Sequence, residues 1–329
     1  MTTETKFGFF RERSAYLRQA FIDPHEEASG AFGSSVPMVV PNPLKPYWLI
    51  TLILSAFLSL FSLSPQALWA ADAKPTLRIS GSSTLLPVAE AAAEVYLEDR
   101  PDLLLTVSGT GTGEGIRSII EGNIDIADAS RDLKAEEIQR AARYGADLVK
   151  HSVALDCLAV IVHPSNPVQN ITMEQLRGIY IGEITNWREV GGEDMVIVPI
   201  NRDSSSGTFE MWIEEVLLWA KHRPDAQVQS SSGGVAFAVS GNKHALGYVS
   251  LGFLSPQVKA LSVNEIKPSI QTAADGSYPI KRELYMFVHA EHSVEVDKFL
   301  AFMSSPAGED VIRKVGFIPA KEVGGGGQN

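Results

Sequence analysis

The sequence predicts an α/β chain of two lobes, with mixed, mostly parallel sheets and a ligand cleft between the lobes. Three observations lead there. From Lys74 onward, short apolar runs alternate with stretches of helical period, the pattern of a mostly parallel sheet covered on both faces. Apolar residues make up 45% of the 329-residue chain, enough for two cores. Hydroxyl-rich loops recur where strands give way to helices, and in such sheets ligands bind beyond the C-terminal ends of the strands.

The first lobe is expected over about residues 75–160 plus 250–320. Leu77–Ser80 reads as a strand, Pro87–Leu97 as a helix and Leu103–Val107 as a strand. The loop Gly109–Gly115 precedes a helix beginning at Ile116, with Gly122 as its stop. Asp125–Ala129 is a strand, and Ala135–Tyr144 a helix ended by Gly145. Leu148–Ser152 and Leu155–Val162 read as two strands.

The second lobe is expected over about 161–249. Thr172 and Gln175 form a capping box ahead of Leu176–Tyr180. Asn186-Trp187 with Gly191-Gly192 reads as a turn and a packing residue. The strand Met195–Ile200 leads through Asn201–Thr208 into a helix, Phe209–Leu218. Gly233–Ser240 is a short helix and Ala245–Val249 a strand. The chain then returns through the strand Glu283–Val288 and the helices Val294–Met303 and Ala307–Val315, the last ended by Gly316, to a flexible tail, Gly324–Asn329.

The N-terminal part reads differently. Residues 1–46 are polar, mixed in charge and without lasting periodicity, as in a disordered leader. Tyr47–Leu63 is apolar and uncharged, short for a span of about 20 residues. Lys45 precedes it, and small residues at −3 and −1 offer cleavage after Ala70 or Ala73. Residues 47–73 therefore read as a secretory signal, with an uncleaved anchor as the alternative. Met38 stands where a signal of ordinary length would start. No Cys follows the apolar run, so lipid attachment through one is not available.

Charge and side-chain inventory exclude several functions. The formal net charge of −11 and the lack of a basic run argue against nucleic acid. Cys157, the single cysteine, allows no intrachain disulfide and no thiolate metal site, and lies in an apolar strand as a buried thiol would. The seven His are scattered; His163 and His289 fall at strand ends. The glycine-rich loop has G-x-G-x-G spacing rather than the dinucleotide fingerprint, and the loop at Ser206 lacks the Gly-Lys pair of a phosphate-binding P-loop. No nucleophile elbow stands beside a convincing His and Asp. Neither catalytic residues nor a cofactor or metal is expected, and no enzyme activity.

What remains is a set of hydroxyl-bearing loops at helix starts: Gly81-Ser82-Ser83-Thr84, the loop around Thr112, Ala129-Ser130-Arg131, and Asn201-Arg202-Asp203-Ser204-Ser205-Ser206-Gly207-Thr208. Helix N-termini present unpaired N–H groups and the positive end of a dipole. Hydroxyls and a guanidinium beside them suit an oxyanion; alone, each loop would be an ordinary helix cap.

Over residues 76–320 the chain resembles the phosphate-binding proteins of the high-affinity ABC phosphate importer, in the periplasmic type II solute-binding class. The resemblance is carried by Ile79–Thr84 with Pro87, Ser108–Ile116, Asp125-Ile126-Ala127 with Ser130-Arg131, Asn186–Gly192, Arg202 with Ser206-Gly207-Thr208, and Ala245–Ser250. It implies an extracytoplasmic protein that captures phosphate between its lobes and delivers it to a membrane permease, without chemistry on the anion. A monomer is expected. Carried over, Ser83 and Thr84 would donate from the first helix start, Thr112 from the glycine-rich loop, and Arg202, Ser206, Gly207 and Thr208 from the second lobe, with Ser130 beside them. Two positions depart from the family pattern. Ser130 replaces an Asp that accepts the proton of bound phosphate, and Ser204 stands where an acid pairs the Arg, leaving Asp203 adjacent. Asp128, on the same strand face as Ser130, is the substitute acceptor if it points into the cleft. Sulfate, molybdate or tungstate on the same fold, or a secreted phosphatase, are the alternative readings.

Overall fold

The computed structural model describes residues 74–321, which belong to one unit of the chain, Ala70–Asn329. The leader, the signal-like segment with its cleavage sites and Met38, and the glycine-rich tail lie outside the described residues. β1 (Thr76–Gly81) turns through Ser82–Leu85 into α1 (Leu86–Glu98), followed by β2 (Leu104–Ser108), α2 (Thr112–Ile120), β3 (Ile126–Ala129), α3 (Ala135–Tyr144) and the 15-residue β4 (Leu148–Val162). The middle of the chain holds β5 (Asn170–Ile171), α4 (Met173–Ile181), β6 (Val198–Arg202), α5 (Gly207–Glu215), β7 (Gln227–Gln229), α6 (Ser232–Ser240) and β8 (Ala245–Ser250). It closes with β9 (Lys259–Ala260), β10 (Ser262–Val263), α7 (Ile270–Ala274), β11 (Lys281–His289), α8 (Val294–Met303), α9 (Pro306–Val315) and β12 (Ile318–Pro319).

The main sheet runs β2-β1-β3-β11-β4-β8-β6-β7. Its two ends are parallel, β2-β1-β3 and β8-β6-β7, while β11 and β4 join them antiparallel. β4 serves both lobes: Leu148–Cys157 pairs with β11, and Leu158–Val162 pairs with β8. The two strands expected at Leu148–Ser152 and Leu155–Val162 are therefore one. Val153 is the extra residue of a bulge in β4, since Ala154 pairs with Leu284 and Ser152 with Tyr285.

Each lobe wraps its part of the sheet in apolar side chains on both faces. In the first lobe Leu77, Val88, Ile126, Met286 and Phe299 form one cluster, and Ile116, Ala127 and Phe287 another. In the second, Trp187, Trp212, Tyr180 and Tyr248 centre one cluster, and Ile200, Val235 and Val249 the other. Trp187 is a packing residue as expected, fully buried with Nε1 donating to His244 O at 3.0 Å. Residues 258–280, expected with the first lobe, pack on the second: Leu261, Val263, Ala273, Tyr278 and Ile280 join the Trp187 cluster. Their strands are too short to show periodicity, and only the pairings of β9 with β4 and of β10 with β5 place them.

Local chemistry sets the element ends. At α4, Thr172 Oγ1 accepts from Gln175 N (3.1 Å) while Gln175 Oε1 accepts from Thr172 N (2.9 Å), the reciprocal cap that the spacing predicts. α2 starts at Thr112, ahead of the expected Ile116, despite two weak helix formers, Gly113 and Gly115. Gly115 is there for close approach: a Cβ on it would lie 2.6 Å from Gly81 Cα. α5 ends at Glu215, before the expected Leu218, because Leu218 and Trp219 take left-handed φ values of 50° and 64°.

Candidate functional site

Four helix starts meet where the parallel strands of the two lobes end. The turn after β1 brings Ser82, Ser83 and Thr84 to the start of α1, and Thr112 opens α2. Ser206 caps α5, with Gly207 and Thr208 as its first residues, and Ser232 opens α6. Each start adds unpaired N–H groups and a partial positive charge, so together they favour an anion.

The lobes touch through these residues. Thr84 Oγ1 lies 3.1 Å from Thr208 Oγ1, and Ser83 Oγ lies 3.5 Å from Ser232 Oγ. Within the first lobe, Thr112 Oγ1 is 3.1 Å from Ser130 Oγ and also accepts from Ser130 N at 3.1 Å. Gly113 N donates across the cleft to Ser205 O at 2.9 Å. Glycine is needed where backbones approach: Gly111 has φ of 102°, and a Cβ there would sit 2.5 Å from Ser205 Oγ. A Cβ on Gly207 would lie 2.8 Å from both Ser130 Oγ and Thr112 Oγ1. Ser83, Thr84, Thr112, Ser130, Arg202, Ser206 and Thr208 are all buried, as is Gly207. The structure thus gathers the sequence-predicted residues at one place between the lobes.

Two guanidinium groups reach this place. Arg202, the last residue of β6, donates to Gln229 O (3.1 Å), Ser230 O (3.1 Å) and Ser232 Oγ (3.2 Å). Its acid partner is Asp203 at 3.4 Å, the adjacent residue rather than the one two positions on. The second is Arg282 on β11. It donates to Thr84 Oγ1 (3.1 Å) from the first lobe and to Thr208 Oγ1 (2.9 Å) from the second. Asp156 on β4 holds it, with Oδ2 accepting from Nε at 3.0 Å and from a terminal nitrogen at 2.9 Å. Ser250 Oγ donates to the other Asp156 oxygen at 2.6 Å. Burial pushes the Asp156 carboxyl up and the Arg282 guanidinium down, and the attraction between the two opposes both shifts.

Arg282, Asp156 and Ser232 escape the sequence reading. The first two carried a signal. Arg282 occupies the buried phase of a strand otherwise filled by Leu284, Met286 and Val288, and Asp156 is an acid inside the apolar run Leu155–Val162. Opposite charges at two buried strand positions suggest a mutual pair. Ser232 sits one residue before the expected helix and gave no signal of its own.

Arg131 borders the hydroxyl cluster, its Cγ 3.1 Å from where a Cβ on Gly207 would lie, but its guanidinium is turned to acids. It pairs with Glu137 at 2.7 Å and with Glu210 of α5, which Lys134 also reaches at 2.7 Å. Asp128 is wholly buried beside Met286, its Oδ1 without a hydrogen-bond partner, and burial pushes its pKa up to about 8. No hydrogen bond joins its Oδ1 to Ser130, the residue it was expected to replace as acceptor of a ligand proton. Cys157 is buried and its thiol is pushed up by that burial, as expected of an inert thiol. Among the described residues no group of His, Cys, Asp and Glu could hold a metal ion.

Comparison with known proteins agrees with this geometry. Residues 69–307 match the PBP superfamily domain. The phosphate-binding protein PstS of Bacillus subtilis is 32% identical over 259 residues, covering 76% of this chain and 83% of that protein. PstS of Borreliella burgdorferi is 33% identical over 263 residues, covering 76% and 92%. Among solved structures, an ABC transporter substrate-binding protein from Clostridium perfringens with bound phosphate superposes with a TM-score of 0.70 at 33% identity, covering 74% of this chain and 99% of that one. An ABC-type phosphate transport receptor from Vibrio cholerae superposes at 0.61 and 32%, covering 74% and 99%. With two buried guanidiniums and four helix starts converging between two α/β lobes, this chain belongs to the PBP superfamily, among its phosphate-binding proteins of ABC importers.

Proposed function

We propose that this protein captures inorganic phosphate between its lobes outside the cytoplasm and passes it to the membrane permease of an ABC importer, acting as a monomer. The observation that carries the reading is the meeting of Arg202, Arg282 and the hydroxyls of Ser83, Thr84, Thr112, Ser130, Ser206 and Thr208 between the lobes. An anion enters by replacing the hydroxyl contact between lobes, Thr84 with Thr208, and the one within the first lobe, Thr112 with Ser130. Ser83, Thr84, Thr112 and Ser130 then hold it from the first lobe. Arg202, Ser206, Gly207 and Thr208 close on it from the second. Each hydrogen bond to a charged group contributes about 1.5–3 kcal/mol, so a handful suffices for micromolar binding, about −8 kcal/mol, after ordering costs. Residues 47–73 serve as the secretory signal, and the bound anion is released unchanged.

Equilibrium dialysis of the full-length protein against radiolabelled phosphate tests the reading, with Arg202→Ala as the control. The variant is expected to bind at least about tenfold more weakly, a loss of about 1.4 kcal/mol or more. Equal retention of phosphate by wild type and variant would remove Arg202 from the site.

A further inference from the structure

Once an anion has displaced the contact between Thr84 and Thr208, the lobes need another attraction to stay closed on it. A group of charges at the edge of the cleft supplies one. Arg131 and Lys134 of the first lobe lead into α3. Glu137, in the first turn of α3, accepts from two terminal nitrogens of Arg131 at 2.7 Å each and from Lys134 N at 2.8 Å. This two-point fork fixes the guanidinium plane and leaves its Nε edge for another partner. That partner is Glu210 of the second lobe, which pairs with Arg131 Nε and, at 2.7 Å, with Lys134 Nζ. Two cations against the one acid Glu137 leave the first lobe with a positive charge in excess, and Glu210 answers it. Glu136, 3.8 Å from Lys134, is largely exposed and screened. The side chains of Arg131, Glu137 and Glu210 are only 11%, 14% and 17% exposed, so water screens this group less than an open surface pair. Glu210 lies one turn into α5, the helix that starts with Gly207 and Thr208, and its N–H donates to Ser206 O at 3.1 Å. A pull on Glu210 therefore draws the second lobe's donors toward the first lobe and uses none of them.

Resting on the phosphate-binding reading above, we propose that Glu210 is a positioning residue for closure: clasped by Arg131 and Lys134 across the cleft, it holds the start of α5 over the bound anion and sets how long the anion stays. An acid near an anion site acts in two opposite ways. Through its field it repels the anion, so neutralising it tightens binding. Through the clasp it holds the lobes together, so neutralising it weakens binding. The clasp prevails here because each Glu210 oxygen faces a cation of the first lobe, and these cations offset its field at the anion. Truncating one member of a desolvated charge pair shows mainly in the rate of release, whereas an exposed charge shows in the rate of capture. Loss of the clasp therefore speeds release and leaves capture near its wild-type rate.

The test uses radiolabelled phosphate and the full-length protein: dialysis gives the dissociation constant, and a chase with unlabelled phosphate gives the release rate. Wild type is compared with Glu210→Gln, Lys134→Gln and the double variant. Glu210→Gln is expected to bind about fivefold to tenfold more weakly, with release faster by the same factor. Lys134→Gln weakens binding about twofold to threefold, since Arg131 still holds Glu210. The double variant is no weaker than Glu210→Gln alone, because Lys134 acts through Glu210. Added NaCl narrows the gap between wild type and Glu210→Gln as it screens the clasp. If Glu210→Gln does not fold, Glu210→Asp, one methylene short of the two cations, decides by the same release rate. A Glu210→Gln variant that binds phosphate as tightly as wild type, or more tightly, would make the acid a surface charge acting only through its field and overturn the proposal. So would losses in the two single variants that add in the double. Either result leaves phosphate binding by wild type intact, whereas wild type that retains no label would remove the phosphate reading and this proposal with it.

Discussion

Arg202 and Arg282 stand on opposite sides of one cleft and are held by different means. Arg202 is fixed by its own neighbourhood: two carbonyls of the strand-to-helix link at Gln229 and Ser230, Ser232 Oγ, and the adjacent, partly exposed Asp203. Arg282 has one anionic anchor, Asp156, fully buried on the next strand and 126 residues away in sequence. The first arrangement spreads a charge over several neutral acceptors, so no single loss strands it. The second concentrates it on one partner in a dry interior, where an unpaired charge is costly. Arg202 thus belongs to the second lobe's loops, whereas Arg282 ties Thr84 and Thr208 of the two lobes to the strand that both share.

The sharpest way to break this contrast is to remove each acid in turn. Asp156→Ala is expected to cost about 3–5 kcal/mol of folding stability, because Arg282 is left buried and unpaired. Asp203→Ala costs under about 1 kcal/mol, since the pair is partly exposed and the carbonyls remain. Urea unfolding of both variants checks the pair, and similar losses would mean that the two anchors are equivalent.

Next comes closure itself. Gly207→Ala places a methyl group within 2.8 Å of Ser130 Oγ and Thr112 Oγ1. Overpacking of this kind costs about 1–3 kcal/mol, here paid only in the closed form, so phosphate affinity should fall while the melting temperature stays near wild type. Titration calorimetry beside a thermal melt separates the two. A large stability loss with unchanged affinity would mean that the lobes do not need to meet at Gly207.

A gentler probe compares two buried carboxyls, Asp156 with a guanidinium and Asp128 without. A carboxyl ionises near pH 4 in the unfolded chain, whereas burial pushes Asp128 up to about 8. Between those values the folded state holds the extra proton. Stability from this group is therefore greatest at low pH and falls as pH rises through the window, by at most about 1.4 kcal/mol per pH unit. Asp128→Asn should flatten that decline in urea unfolding at pH 5 and pH 8. An unaltered slope would place the Asp128 carboxyl in contact with water or a cation.

Much of the site was legible because its parts are local. Ser82-Ser83-Thr84, Thr112 and Ser206-Gly207-Thr208 each sit at a strand-to-helix junction, where cap chemistry is written in consecutive residues, and the structure brings them together. The alternation of strands and helices likewise gave the lobes. What was hidden depends on pairing between distant strands. The single β4 looked like two strands because its continuity rests on β11 and β8. Residues 258–280 follow the second lobe through short pairings that carry no period. The role of Arg282 needs a register in which it pairs with Asp156 on the neighbouring strand, and the burial of Asp128 with an unpartnered oxygen beside Met286 likewise depends on the pairing of β3 with β11.

The most direct test of the central claim is calorimetric titration of the full-length protein with phosphate. Saturable binding of one anion per chain at micromolar or tighter dissociation constant, about −8 kcal/mol or better, is the predicted result. A titration without heat of binding, confirmed by unchanged melting in excess phosphate, would contradict it and leave the two guanidiniums as structural charges between the lobes.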